Sequence, residues 1–389
     1  MLTPPARGFS PIEFERRTDR AQRQMADLRV DALLLSTEPE VRYFTGFHSQ
    51  FWESPTRPWF TIVPLTGKPI AVIPEIGESG MAKTWIEDIR TWPAPRPQDD
   101  GVSLLVTALA GLSRRFGRIG VPMGHESILR MPLADFTRLR DKLPGVEIVD
   151  ASPLIHDLRN IKSEQEIAKI HYVCQLTSDA FEALPKSLRT GQSERQNCQR
   201  LRIDLLHRGA DNSPYLIAGS GPGGYDSIIM GPTDRIINKG DVLIIDTGTV
   251  YDGYFCDFDR NYAFGTPDDA LRRAHDVVYQ ATDAGIAAAR PGATCADLAA
   301  AMWRVLENGG ALGNDVGRLG HGLGMQLTEG PSHRPGDHTI LQPGMVLTIE
   351  PGMAFAPGKS MVHEENIVIR EHGAELLSRR APAEMPVIE

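Results

Sequence analysis

The stretch DVLIIDTGTVYDGYFCDFDRNYAFG, residues 241–265, reads as two strands folded back on a two-residue turn. Asp252-Gly253 is the pair that a tight hairpin turn favours, because both of its central positions need positive φ. With the turn placed there, Asp246 faces Asp259 and Asp257 is the diagonal neighbour. All three carboxylates then share one face, the opposed pair about 4.5–5.5 Å apart at Cβ. A bulge near the turn would change the partners but not the shared face. Like charges set opposite each other destabilise a strand pair. Asp246 nevertheless follows VLII, an apolar run of the kind that marks a buried strand. Acids gathered in a buried position need compensation, which a divalent cation provides. The plain alternative is a solvated acidic strand face.

Three later segments favour the cation. LGHGLG sets His321 between glycines, where backbone can come close to a ligand. MVLTIEPGM ends an apolar strand on Glu350 before a Pro-Gly break, and MVHEENIVI opens another apolar strand with Glu364 and Glu365. A lone His or strand Glu is usually structural. A set of them beside apolar strands in one region points to a metal centre.

Outward from this region, 389 residues suit two or three domains at roughly 150 residues each. The 41% hydrophobic and 23% charged content is that of a globular protein. A net charge of −9 argues against a nucleic-acid grip built on a basic surface. Four scattered cysteines, with no CxxC pair, exclude a disulfide framework and a zinc clip, and Cys256 reads as a small buried hydrophobe. MLTPPARGFS has no basic segment followed by an apolar one, and no apolar run approaches membrane-spanning length, so neither a leader nor a membrane span is expected. A cytoplasmic location follows as an expectation.

DALLLS (31–36), WFTIVPL (59–65), PIAVIP (69–74), GRIGVPM (117–123) and VEIVDAS (146–152) predict strands, with helical spacing over 11–29 and 127–143. These make residues 1–155 a compact α/β domain. Ser163 and Glu166 form a capping box opening a long helix, and helices are predicted over 268–289 and 294–308, separated by RPGATC. Residues 156–389 are then an α+β domain, an antiparallel sheet backed by helices.

The ordered acids and His resemble the pita-bread family of methionine aminopeptidase, aminopeptidase P, prolidase and creatinase. KSEQEIAKI is similar to that family's entry helix and YFTGF (43–47) to a motif of its N-terminal domain. The resemblance implies an α+β chain: a creatinase-type α/β N-terminal domain (1–155) followed by a pita-bread metallohydrolase domain (156–389). It implies metal ligands Asp246, Asp257, His321, Glu350 and Glu365, the last preferred over its neighbour Glu364 because Asn366 and an apolar strand follow it directly. Such mostly hard donors suit two divalent ions, Mn²⁺ first, with Co²⁺, Fe²⁺ or Zn²⁺ tolerated. Glu350 is implied to be both ligand and proton shuttle in hydrolysis of a C–N bond, with Xaa-Pro peptides as substrates.

Two imidazoles of the family's peptidases are missing. Thr328 stands at one place, and Ile229 and Met230 lie near the other. Thr328 can donate a hydrogen bond but carries no charge, and His333 is the candidate substitute imidazole. Asp259 stands where Thr is frequent in the family, either supporting the centre, changing the metal it takes, or pairing with a base. His363 replaces an Arg. Tyr225, Trp52 and Arg57 are candidate substrate-binding residues, the last two by reaching a partner's site in a creatinase-like homodimer, with Arg57 gripping a carboxylate. The alternatives are a non-peptide metabolite hydrolase resembling creatinase or ectoine hydrolase, and a non-catalytic binding protein of the same fold. A small molecule or short peptide is the expected partner, not nucleic acid or membrane.

Overall fold

The computed structural model describes residues 2–314 and 317–389, and the elements below are those of the described residues. The chain divides into two compact units, one of Ala6–Arg159 and one of Asn160–Glu389 with the residues up to Pro5. Among the described residues no helix is long and apolar enough to cross a membrane.

The N-terminal unit is a six-stranded sheet of order β4-β3-β2-β1-β5-β6, formed by β1 (Ala32–Leu35), β2 (Phe60–Pro64), β3 (Ile70–Pro74), β4 (Asp88–Trp92), β5 (Arg118–Val121) and β6 (Glu147–Asp150). Its helices are α1 (Pro11–Leu28), α2 (Glu38–Thr45), the single turn α3 (Glu78–Met81), α4 (Val102–Ala110), α5 (Leu133–Asp141) and α6 (Ser152–Asn160). One core joins Leu34, Ile62 and Val72 of the strands to Leu105, Leu109 and Leu139 of α4 and α5. Asp31, buried just before β1, accepts the backbone N–H groups of Arg115, Phe116, Gly117 and Arg118 and so fixes the entry to β5. The helix expected over 127–143 is shorter, because Pro132 has no N–H to continue a helix through it and serves as the N-cap of α5.

In the second unit α7 (Glu164–Ala183) starts on the Ser163–Glu166 capping box, and α8 (Glu194–His207) follows. A four-stranded sheet, β17-β9-β8-β7, contains β7 (Asn212–Pro222), β8 (Asp241–Tyr251), β9 (Tyr254–Phe264) and β17 (Val387–Ile388). Then come α9 (Asp269–Ala288), α10 (Cys295–Asn308), β10 (His321–Gly322), β11 (Glu329–Ser332), β12 (Val346–Ile349), the pair β13 (Gly352–Ala356) and β14 (Lys359–Val362), β15 (Glu365–Arg370) and β16 (Gly373–Leu376). A five-stranded sheet has the order β11-β10-β12-β15-β16.

The β8–β9 turn is the predicted one. Tyr251 pairs with Tyr254, and Asp252 and Gly253 have φ of 48° and 77°. Helices α9 and α10 cover the second sheet through Val278, Ala281, Leu298 and Met302 against Leu347, Ile349 and Ile367. At Gly285 a Cβ would stand 2.7 Å from Ile349 Cγ2 and 2.8 Å from Met302 Sδ, so only glycine lets α9 lie this close. The two sheets meet where the Asn366 side chain takes the place of a neighbouring strand. Its Oδ1 accepts Asp257 N–H at 2.9 Å and its Nδ2 donates to Asp257 O.

Candidate metal centre

The hairpin register places Asp246 directly opposite Asp259, and Asp257 opposite Gly248. Ladder pairing continues to β7, where Ile217 pairs with Asp246 and Tyr215 with Gly248. Directly opposed residues share a face, so Tyr215, Ile217, Asp246, Asp257 and Asp259 look the same way. Gly248 is the floor. A Cβ there would lie 2.2 Å from Leu327 Cδ1 and 3.1 Å from the Tyr215 Cβ.

Against this face the other sheet brings His321, Glu350 and Glu364. His321 Nε2 lies 3.5 Å from Asp257 Oδ2 and 4.0 Å from Glu350 Oε2. Its Nδ1 is 2.9 Å from the Gly322 carbonyl, which can only accept, so Nδ1 carries the proton and Nε2 presents a lone pair to the acids. Burial, then the nearby Arg318, pushes the imidazole down to about 3, so the ring is neutral. Ligand atoms of Asp257, His321 and Glu364 all fall within 4.8 Å of one another.

The acids are short of partners. Burial raises Asp246 to about 7 against hydrogen bonds from Thr247 N–H, Asp257 and Tyr215. Burial, then Asp246, raises Glu350 to about 8, with Arg318 opposing. Asp257 and Glu364 are pushed well up by burial and by the other carboxylates, and Asp259 by burial and Asp246. One oxygen each of Asp246, Asp257, Asp259 and Glu364 is enclosed without a hydrogen-bond partner. Enclosed, unpartnered carboxylates beside a neutral imidazole lone pair fit divalent cations, which supply the missing charge and the missing partner together.

Against expectation, Glu364 and not Glu365 joins the acid face. Strand neighbours point to opposite faces, and Glu365 faces away from the other acids. It accepts from Arg260 at 3.1 Å, from Arg380 at 3.3 Å, from the Ser378 hydroxyl and from Ala381 N–H at 2.9 Å. His363, buried, stacks edge-on to Tyr279 and sits against Arg380, which makes it part of this support and not of the acid face.

His333 likewise departs from expectation. It is fully buried, its Nε2 bonded to Thr348 O at 3.0 Å, and its Cδ2 would meet a Cβ at Gly320, so the ring props the backbone leading into His321 and offers no surface to a substrate. Tyr225 is a core residue. Its hydroxyl donates to Asn261 Oδ1 and accepts Val362 N–H, tying β9 to the end of β14. Thr328 is half-buried and accepts from Arg318 Nη2 at 3.3 Å. Trp52 and Arg57 lie in the N-terminal unit. Trp52 packs on Trp59, with the Arg130 guanidinium 5.2 Å from its ring, and Arg57 lies over Phe51. Sequence reading passed over Tyr215 and Arg318. Extending the hairpin ladder by one strand would have found Tyr215.

Residues 168–371 match the model of metallopeptidase family M24, and residues 17–161 match the creatinase/prolidase N-terminal domain. The chain belongs to metallopeptidase family M24. It therefore has the pita-bread catalytic domain and creatinase-type N-terminal domain expected, and is a metallohydrolase of C–N bonds. "Probable dipeptidase PepE" of Mycobacterium tuberculosis is 28% identical over 384 residues, 98% of this chain and 99% of that protein. The Xaa-Pro dipeptidase of Pyrococcus horikoshii is 27% identical over 355 residues, covering 90% and 93%. The crystal structure of dipeptidase PepE from Mycobacterium ulcerans superposes with a TM-score of 0.85 at 27% identity, covering 98% and 99%.

Proposed function

We propose that this M24 enzyme is a dinuclear Xaa-Pro dipeptidase, with Asp246, Asp257, His321, Glu350 and Glu364 holding two divalent ions, Mn²⁺ first. The observation that carries this reading is the set of enclosed, unpartnered carboxylate oxygens gathered around a neutral His321. The names of similar proteins, Xaa-Pro dipeptidase among them, support the substrate class. The ions when bound supply an activated water and a Lewis acid for the scissile carbonyl.

The chain's own residues do the rest. Asp246 and Glu350 are half-buried, whereas Asp257 and Glu364 are enclosed; Asp246 is held by Tyr215, so Glu350 is the carboxylate placed to carry a proton to the leaving nitrogen. Tyr215, also half-exposed, donates to Asp246 and holds that carboxylate's orientation. Arg318 donates to Thr328 and Ser332, and its charge acts on both Asp257 and Glu350. Thr328 thus acts through a cation where the family's peptidases carry an imidazole. The creatinase/prolidase-type N-terminal unit is consistent with a homodimer in which Trp52 and Arg57 serve a partner's site, and light scattering tests the dimer.

The test of function is metal content on protein purified without chelators, followed by Xaa-Pro dipeptide hydrolysis. About two ions per chain are expected, with turnover lost on chelation and restored by Mn²⁺. Two ions without any Xaa-Pro turnover would replace the peptide with a non-peptide C–N substrate.

A further inference from the structure

The acid face holds five carboxylates, one more than the ligand set proposed above uses. Asp246, Asp257, Asp259, Glu350 and Glu364 converge on it, each raised by burial and all but Asp246 also by like charge from others of the set. Glu365 is outside the count, because Arg260 and Arg380 neutralise it on the opposite face. Asp259 is the member with no assignment. It stands directly across from Asp246, is 1% exposed, and its Oδ1 is enclosed with no hydrogen-bond partner. The adjacent Arg260 lowers its pKa through charge but donates no hydrogen bond to its carboxylate. That guanidinium donates to the backbone oxygens of Asp259, Glu364 and Arg379 and to the carboxylate of Glu365. The nearest named base is therefore committed elsewhere, which removes the ion-pair explanation for this carboxylate.

Two states of Asp259 remain. It is either a permanently protonated acid that hydrogen-bonds across to Asp246, or an ionised donor to a cation lodged between the two. Geometry separates them. The first needs a hydrogen bond between the two carboxyls, yet the enclosed Oδ1 of each lacks a hydrogen-bond partner, and a cation between them would supply it. We infer that Asp259 directly ligates one of the two ions, an additional hard oxygen donor beyond the five ligands proposed above, and that it tunes the centre toward six-coordinate Mn²⁺ and away from Zn²⁺. The chemistry is general. Zn²⁺ is satisfied by four ligands and favours nitrogen and sulfur, whereas an oxygen-rich set of higher coordination number suits Mn²⁺. Zn²⁺ is intrinsically the tighter binder at a given set of donors, so a manganese enzyme must gain its preference from ligand number and type.

This inference rests on the dinuclear reading, and the experiment separates the two. Asn is isosteric with a protonated Asp, so Asp259→Asn leaves the first state nearly unchanged and removes a ligand in the second. Metal-free wild type and Asp259→Asn are titrated with Mn²⁺ and with Zn²⁺ by calorimetry. Both are then equilibrated with an equal mixture of the two metals, and the bound ions are counted by elemental mass spectrometry. The expected result is at least a tenfold weaker affinity for Mn²⁺ in the variant and at least a tenfold fall in the bound Mn:Zn ratio. Asp259→Glu, which keeps a carboxylate, should recover much of the ratio, and Asp259→Thr should behave as Asn does if the Asn protein folds poorly. Two ions in the variant with unchanged affinity and ratio would overturn the role of Asp259 while leaving the dinuclear centre intact. Wild type that binds neither metal would overturn the dinuclear reading itself.

Discussion

Replacing Asp257 by Asn should move the stability of the metal-free and metal-loaded enzyme in opposite directions. In the metal-free protein Asp257 stands among Asp246, Glu350 and Glu364, with Arg318 the opposing cation that acts on it. Two like charges some 4–6 Å apart repel by about 3–4 kcal/mol at an effective dielectric near 20. Partial protonation relieves part of this, so neutralising one member returns about 1–3 kcal/mol. For a unit of this size that is a rise of roughly 2–12 °C in the melting temperature under chelator. Wild type in metal at a thousand times Kd gains about 4 kcal/mol, or roughly 8–16 °C. The Asn variant, with one ligand gone, should keep less than half of that increment. Scanning fluorimetry of both proteins in chelator and in Mn²⁺ reads all four values. A chelated variant melting at or below chelated wild type, with the metal increment intact, would refute the placement of Asp257 in a cation-seeking cluster.

Glu364→Gln should lose bound metal while unfolding no more easily under chelator. Glu365→Gln should keep its metal and lose about 3–5 kcal/mol, since it removes the carboxylate facing the buried Arg260 guanidinium. Denaturant curves paired with metal analysis distinguish the two. Thr328→Val removes the hydroxyl that fixes Arg318 and should lower kcat/KM about tenfold, the worth of one charged hydrogen bond, with metal content unchanged. At Asp31 burial raises the carboxyl but the four backbone donors outweigh it, so its pKa is lowered in the folded state. Its stabilisation is therefore present above the unfolded value near 4 and is lost as pH falls through the lower folded value. Asp31→Asn should cost about 2–4 kcal/mol at neutral pH and flatten the acid limb of stability, as measured by urea unfolding across pH.

The hairpin was legible because its turn chemistry is local: Asp252-Gly253 fixes a register, and the register fixes which acids face each other. The long helix was legible for the same reason, its cap lying within four residues. The Glu364–Glu365 choice was not. A strand end two residues wide has no internal phase, and the face each Glu takes is set by the pairing of Ile349 with Glu365, which is a long-range fact. Among the elements that escaped notice, two helices and an edge strand did so for different reasons. VSLLVTALA of α4 is apolar nearly all round and shows no helical period, and DIRTW of β4 lacks strict alternation. The α8 start did carry a signal, the Ser193–Gln196 capping box. His333, the candidate for a missing imidazole, and Tyr225 each found backbone partners that let it be buried.

Asn366 gives the folding of this unit an order. Its amide closes the joint between two sheets by gripping the backbone of a residue 109 positions earlier in the chain. Closure over that span is slow compared with formation of a hairpin such as β8–β9. The acids of the hairpin can therefore be in place long before His321, Glu350 and Glu364 arrive to meet them. During refolding the appearance of secondary structure and the capture of metal should be two separate events, and the interval between them is the time the chain takes to bring Asn366 home.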